Sequence, residues 1–236
     1  MYCYLANAIS YIALIYAVVL IRADTSATQT EPQPIKDLIT EGMLYTLREA
    51  RLKMLFLLEA STSAFGLFYL ALMPAIVQEQ LGMHGDVAKQ GLGLAFTCIG
   101  IGAIAGLLLV LKFSDRPIKG TIIMSAMTVM GLTLLGIGFT SSPIIAYLLF
   151  GCMGLATVAQ FNVTNTAFQM LSPDRLRGRV LSMHIWALSG LGPIGTLLAG
   201  YLARSEGIPV TLRVGSGCIL VVAGLGWAFK RVLEGV

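Results

Sequence analysis

Charge is what this chain has least of. Only 12% of its 236 residues are charged, against about 25% in an ordinary soluble domain. Hydrophobic residues make up 56% and the mean hydropathy is +0.82, so the chain lacks the charges a water-soluble fold would spread over its surface. Cysteine is also scarce. Cys3, Cys98, Cys152 and Cys218 sit in apolar stretches without CxxC spacing, which excludes a disulfide framework and a cysteine metal site. His84 and His184 are too far apart for a zinc pattern. No P-loop, GxSxG, HExxH or acid/base pair is present, so neither an enzyme nor a cofactor is expected. The net charge of +4 comes from short basic runs between apolar segments, whereas a nucleic-acid partner would need a basic face on a soluble domain.

Long apolar runs are what is there. A bilayer core of about 30 Å needs roughly 20 apolar residues of helix. Seven runs qualify: 2–21, 54–77, 91–111, 121–139, 143–167, 181–203 and 210–229. IGIGAIAGLLLVL does not alternate as a barrel strand would. The expected fold is all-α, a polytopic membrane bundle of about seven transmembrane helices in contact with membrane lipid. The first run has no basic start and no small-residue cleavage site before Arg22, so it reads as a span and not a signal peptide.

Lys and Arg set the orientation. Thirteen of the sixteen fall in one set of flanks and loops, and Lys89, Arg204 and Arg213 in the other. The rich side is expected to be cytoplasmic in a cell (inner/plasma) membrane, with the N-terminus outside and the C-terminus inside. Three regions follow: a span at 1–21, a cytoplasmic linker with an amphipathic helix at 22–53, and six spans at 54–236. Within 22–53, Ile35, Leu38, Ile39, Met43 and Leu47 share a helical face. That suits a helix on the inner membrane surface or an extension of the second span.

Ionisable residues inside spans are functional candidates by default. Glu59 lies about 7.5 Å into its span at 1.5 Å per residue. It is a candidate proton or substrate group, or an interfacial carboxylate reaching the inner surface. His184 sits at similar depth, as a pH-sensitive group or a satisfied interfacial histidine. Arg213 needs only to snorkel to the outer end of the last span. Gln160, Asn162, Thr164, Asn165 and Gln169 make the inner half of the fifth span wet on three faces. They read as interhelical hydrogen bonds or as the wall of a substrate path. Gly192, Pro193 and Gly195 mark a hinge or a fixed bend in the sixth span. Gly102 with Gly106, and Gly151 with Gly154, permit close helix approach in a static or a sliding bundle.

SPDRLRGRVLS followed by GLGPIGTLLAG resembles the link between the tenth and eleventh helices of major facilitator superfamily transporters. The likeness is greatest to the branch of enterobactin-type exporters and macrolide-efflux proteins. LKFSDRPIKG resembles the superfamily's signature between helices eight and nine, with Pro117 where glycine is usual. The resemblance implies that the seven spans correspond to helices six to twelve, a C-terminal half working by alternating access. It implies a small-molecule substrate, with proton-driven efflux by antiport. The N-terminal half would then come from a longer reading frame or a second chain, and the partial chain or fragment offers one wall of a cavity. Asp115 is expected to pair with one of Arg175, Arg177 or Arg179 as a cytoplasmic latch, with Arg116 beside it; positive-inside topology explains the arginines equally well. Ser172 is expected to cap a short helix with Pro173 at its first position. The rival readings are a seven-span receptor or sensor, which shares the topology, and a non-transporting fragment.

Overall fold

The computed structural model describes residues 2–20, 35–113 and 118–233. Asp115, Arg116 and the linker 22–34 lie outside the described residues. Two compact units are present, residues 1–37 and 38–236. The first contains α1 (Tyr2–Leu20), an uncharged helix of 19 residues and so about 28 Å long. The helix α2 (Ile35–Arg48) begins in the first unit and continues into the second.

In the second unit six helical segments are long and apolar enough to cross a membrane. The first is interrupted. It comprises α3 (Ala50–Gly66), α4 (Tyr69–Ala75) and a π-turn at Ile76–Gln80. At the break the amides of Leu70 and Ala71 bond only three residues back, to Leu67 and Phe68. Then come α5 (Gly85–Lys112), α6 (Lys119–Ile137) and α7 (Pro143–Leu171). The fifth segment is interrupted too, as α8 (Arg177–Gly190) and α9 (Gly192–Glu206), and α10 (Ile208–Ala228) is the last. No strand occurs among the described residues.

The apolar runs become helices because a segment in hydrocarbon must satisfy its own backbone. α7 packs between α5 and α6, α10 bridges α6 and α3, and α3 leans on α8 and α9. Glycine sets the closest approach. A Cβ at Gly102 would run into the Gly151 carbonyl, and one at Gly154 into the Ile99 carbonyl. α5 and α7 therefore touch backbone to backbone, as small-residue spacing allows. The outward faces stay apolar, with Ile101, Ile104, Leu108, Leu197 and Val221 exposed, as a lipid solvent requires.

Both ends of the unit are tied. At the end bearing Lys53, Lys119 and Lys230, α2 packs Gly42 against the backbone of Arg179. At the opposite end the π-turn aims Gln80 so that Nε2 donates to the carbonyls of Ile137 and Thr140. There Arg213 Nε donates to the Gly138 carbonyl at 2.9 Å, and its guanidinium lies 4.2 Å from the Phe139 ring. Arg213 thus does more than snorkel. It caps the C-terminal end of α6, where a cation complements the helix dipole.

Candidate functional site: a buried acid–histidine pair

α3 starts at Ala50, four residues earlier than the hydropathy boundary. Glu59 is therefore nine residues into the helix, about 13.5 Å along its axis. Its side chain is fully buried, and Oε2 lies 2.6 Å from Nδ1 of His184 on α8. Both side chains are buried within the bundle, Glu59 at 0% and His184 at 6% exposed. The physical reason is a partner within reach, because a proton shared between carboxylate and imidazole lets both remain inside. The Phe168 ring of α7 tilts against His184 with centroids 5.3 Å apart, closing the other side.

One turn further along α3, polar contacts continue. Thr62 Oγ1 donates to its own helix at Leu58 and accepts from Gln160 Nε2 on α7 at 2.8 Å. Ser63 Oγ donates to the Leu188 carbonyl at 2.6 Å. Leu188 lies in the last turn of α8, where carbonyls have no intrahelical partner, so Ser63 stabilises the interruption in that segment. Gly192 and Gly195 follow directly. A Cβ at Gly192 would stand 3.3 Å from Ser63 Oγ, and one at Gly195 would hit the Ala64 carbonyl. Pro193 occupies the first turn of α9, where its missing N–H costs nothing. The bend falls at Leu191, just before the proline.

Three buried oxygens here have no partner among the described residues: Glu59 Oε1, Gln160 Oε1 and Thr164 Oγ1. Gln160 and Thr164 are one turn apart on the buried face of α7. Polar atoms left open in a protein interior are uncommon, and one of these belongs to a carboxyl group able to bind a proton. The other amides of α7 do not join the cluster. Asn162 is exposed and its Nδ2 bonds the Val158 carbonyl, while Asn165 accepts from Gln169. Of the polar faces expected on this helix, one turns into the bundle and the others turn outward.

Among the described residues the arginine loop pairs with two acids, while Asp115 lies outside them. Arg175 donates to Glu41 at 2.7 Å, Arg179 pairs with the same carboxylate, and Arg177 pairs with Asp174 at 2.7 Å. Glu41 escaped sequence reasoning because it lies 134 residues from Arg175; its one signal was its place on the charged face of α2. Ser172 is also corrected. Its hydroxyl donates backward to the Phe168 carbonyl, and the N-cap of the short 3₁₀ turn at Asp174–Leu176 is Pro173. The end of α7 offers Ser172 an open carbonyl nearer than the next turn's amides. Ser63 and Thr62 went unremarked because single hydroxyls in an apolar helix carry no pattern.

Among the described residues, no group of three His, Cys, Asp or Glu could hold a metal ion. A search of curated proteins finds no match to this chain. A family model described as transmembrane secretion effector matches residues 1–234, nearly the whole length. Together with the helices that can cross a membrane, this places the chain among multi-pass membrane transporters for small molecules, and it belongs to the transmembrane secretion effector family of the major facilitator superfamily.

Proposed function

We propose that the chain serves proton-coupled export of small amphipathic molecules across the plasma membrane. In this reading α1 and the six later segments correspond to helices six to twelve of the superfamily. Residues 22–53 form a cytoplasmic linker and surface helix, and 54–236 the C-terminal six-helix body. A second six-helix body, from a longer chain or a partner, supplies the opposite wall, because such transporters bind substrate between two repeats. The excess of Lys and Arg at one end puts that end in the cytoplasm and the N-terminus outside. The loop motifs favour the enterobactin- and macrolide-efflux branch.

One observation carries the reading: Glu59 and His184 form a hydrogen-bonded pair inside the bundle. An intramembrane acid that keeps such a partner marks an ion or substrate pathway more often than a packing role. Glu59 holds the proton, His184 orients it, and Gln160 with Thr164 lines the route. Asn162 and Asn165 face the opposing wall. The bend at Gly192, Pro193 and Gly195 moves with the pair through Ser63. Arg175 and Arg179, held by Glu41, steady the cytoplasmic loop, and Asp115 and Arg116 are its proposed further latch residues.

The test is transport by the complete protein in liposomes under an imposed pH gradient, with ethidium as substrate and a trapped pH dye. The wild type should exchange ethidium for protons. E59Q should lose the dependence on the gradient. Unchanged pH-dependent efflux in E59Q removes Glu59 from the mechanism, and gradient-independent efflux by the wild type removes proton coupling.

A further inference from the structure

The crossing of α3 and α10 leaves a groove of about 670 Å³ that the transport reading does not use. Gly226 forms its floor, where a Cβ would stand 3.2 Å from the Leu58 side chain. Met54, Leu57, Val222 and Leu225 wall it, and Lys53, Phe229 and Val232 line it toward one end. Leu57, Leu225 and Phe229 are each more than half exposed, so the groove opens sideways along two spans.

That end is basic. Lys53 lines the groove, and Lys230 and Arg231 sit between its lining residues Phe229 and Val232. Arg48 and Arg51 lie close by in sequence, with Glu49 the one acid among residues 48–53. An apolar trough ending in cations selects a ligand with an apolar tail and an anionic head. Lipid tails surround the protein already, so apolar contact separates one lipid from another poorly. Selection must come from the head, where each Lys or Arg near a membrane surface favours anionic lipid.

We propose that this groove holds one acyl chain of an anionic membrane phospholipid, whose phosphate rests on Lys53, Lys230 and Arg231. Trp227 is a built-in reporter. It lies between the lining residues Gly226 and Phe229, and its indole N–H donates to Thr128 at 3.2 Å. The chain's other tryptophan, Trp186, stacks on Phe56 and is removed by W186F.

The experiment measures quenching of Trp227 in the full-length W186F protein, reconstituted with brominated phosphatidylglycerol or brominated phosphatidylcholine diluted in unbrominated lipid. Half-maximal quenching should need about fivefold less of the anionic lipid, roughly the preference that one well-placed basic side chain contributes. The preference should vanish in K53E/K230E/R231E and persist in the distant control R204E. A50F, which narrows the basic end without changing charge, should weaken quenching by the anionic lipid while thermal unfolding stays unchanged. Equal quenching by the two lipids overturns the proposal, as does a preference that survives the triple reversal. So does the absence of quenching by either lipid, which would mean that protein covers the groove.

Discussion

His184 Nδ1 lies 2.6 Å from Glu59 Oε2, and one turn onward on both helices Ser63 Oγ meets the Leu188 carbonyl at the same separation. α3 and α8 thus run side by side in one direction, joined by two polar rungs four residues apart. The first rung carries the group able to exchange a proton. The second holds the place where the segment bends.

Removing one member of the first rung should cost more than removing both. H184A leaves both Glu59 oxygens without a partner, at about 1–3 kcal/mol. The pair E59Q and H184Q should show a coupling of about 0.5–3 kcal/mol in a double-mutant cycle. Thermal unfolding in detergent of the four proteins measures it. Strictly additive losses would mean that the two side chains do not interact.

The second rung should act on local opening. S63A frees the Leu188 carbonyl and should cost about 0.6–1.7 kcal/mol, the range for hydrogen bonds between membrane helices. Hydrogen exchange should quicken around residues 188–195 and stay unchanged in α5. Uniform quickening across all the helices would contradict a role at the bend.

Glycines on α5 and α7 should divide by what they face. G102A meets the Gly151 carbonyl and should destabilise by about 1–3 kcal/mol, as overpacking does. G154A, against the Ile99 carbonyl, should behave alike. Gly93 and Gly100 have nothing within 4 Å, so G93A and G100A should be neutral or stabilising by up to about 1 kcal/mol. Equal effects at all four positions would show that α5 and α7 do not pack through this seam.

Glu41 should matter more than any single exposed arginine of its loop. Arg175 is 73% exposed at its side chain, and Arg177 pairs with an exposed Asp174. R175A and R177A should therefore each cost about 0–1 kcal/mol. E41A removes the carboxylate that Arg175 and the more buried Arg179 share, and should speed proteolysis within α2. High salt should raise wild-type cleavage toward the E41A rate, since exposed ion pairs are screened. Protection unaffected by salt would contradict a role for the Glu41 ion pairs in docking α2.

The spans were legible because each apolar run satisfies its backbone within itself, so length and composition suffice. The Gly102 and Gly154 seam was legible for a similar reason: small residues at helical spacing announce a close neighbour, though not which one. The bend at Leu191 was flagged by glycine and Pro193. The break at Leu67–Phe68 was not, because no proline stands there. The pairing of Glu59 with His184 spans 125 residues. Each residue alone reads either as a proton-binding group or as an interfacial side chain, and only the packing of α3 on α8 makes them partners. Gln160, Asn162 and Asn165 looked equivalent in sequence. Helical phase separates them: Gln160 faces Thr62, while Asn162 faces outward.

Proton-coupled export as proposed requires Glu59 to exchange a proton inside the bundle. Infrared difference spectroscopy of the purified chain in lipid, stepped in pH, reads this at the carbonyl stretch of a neutral carboxylic acid. The wild type should show a buried-acid band that grows as pH falls and is missing in E59Q. A band that is the same in E59Q, or no titrating band in the wild type, would contradict it.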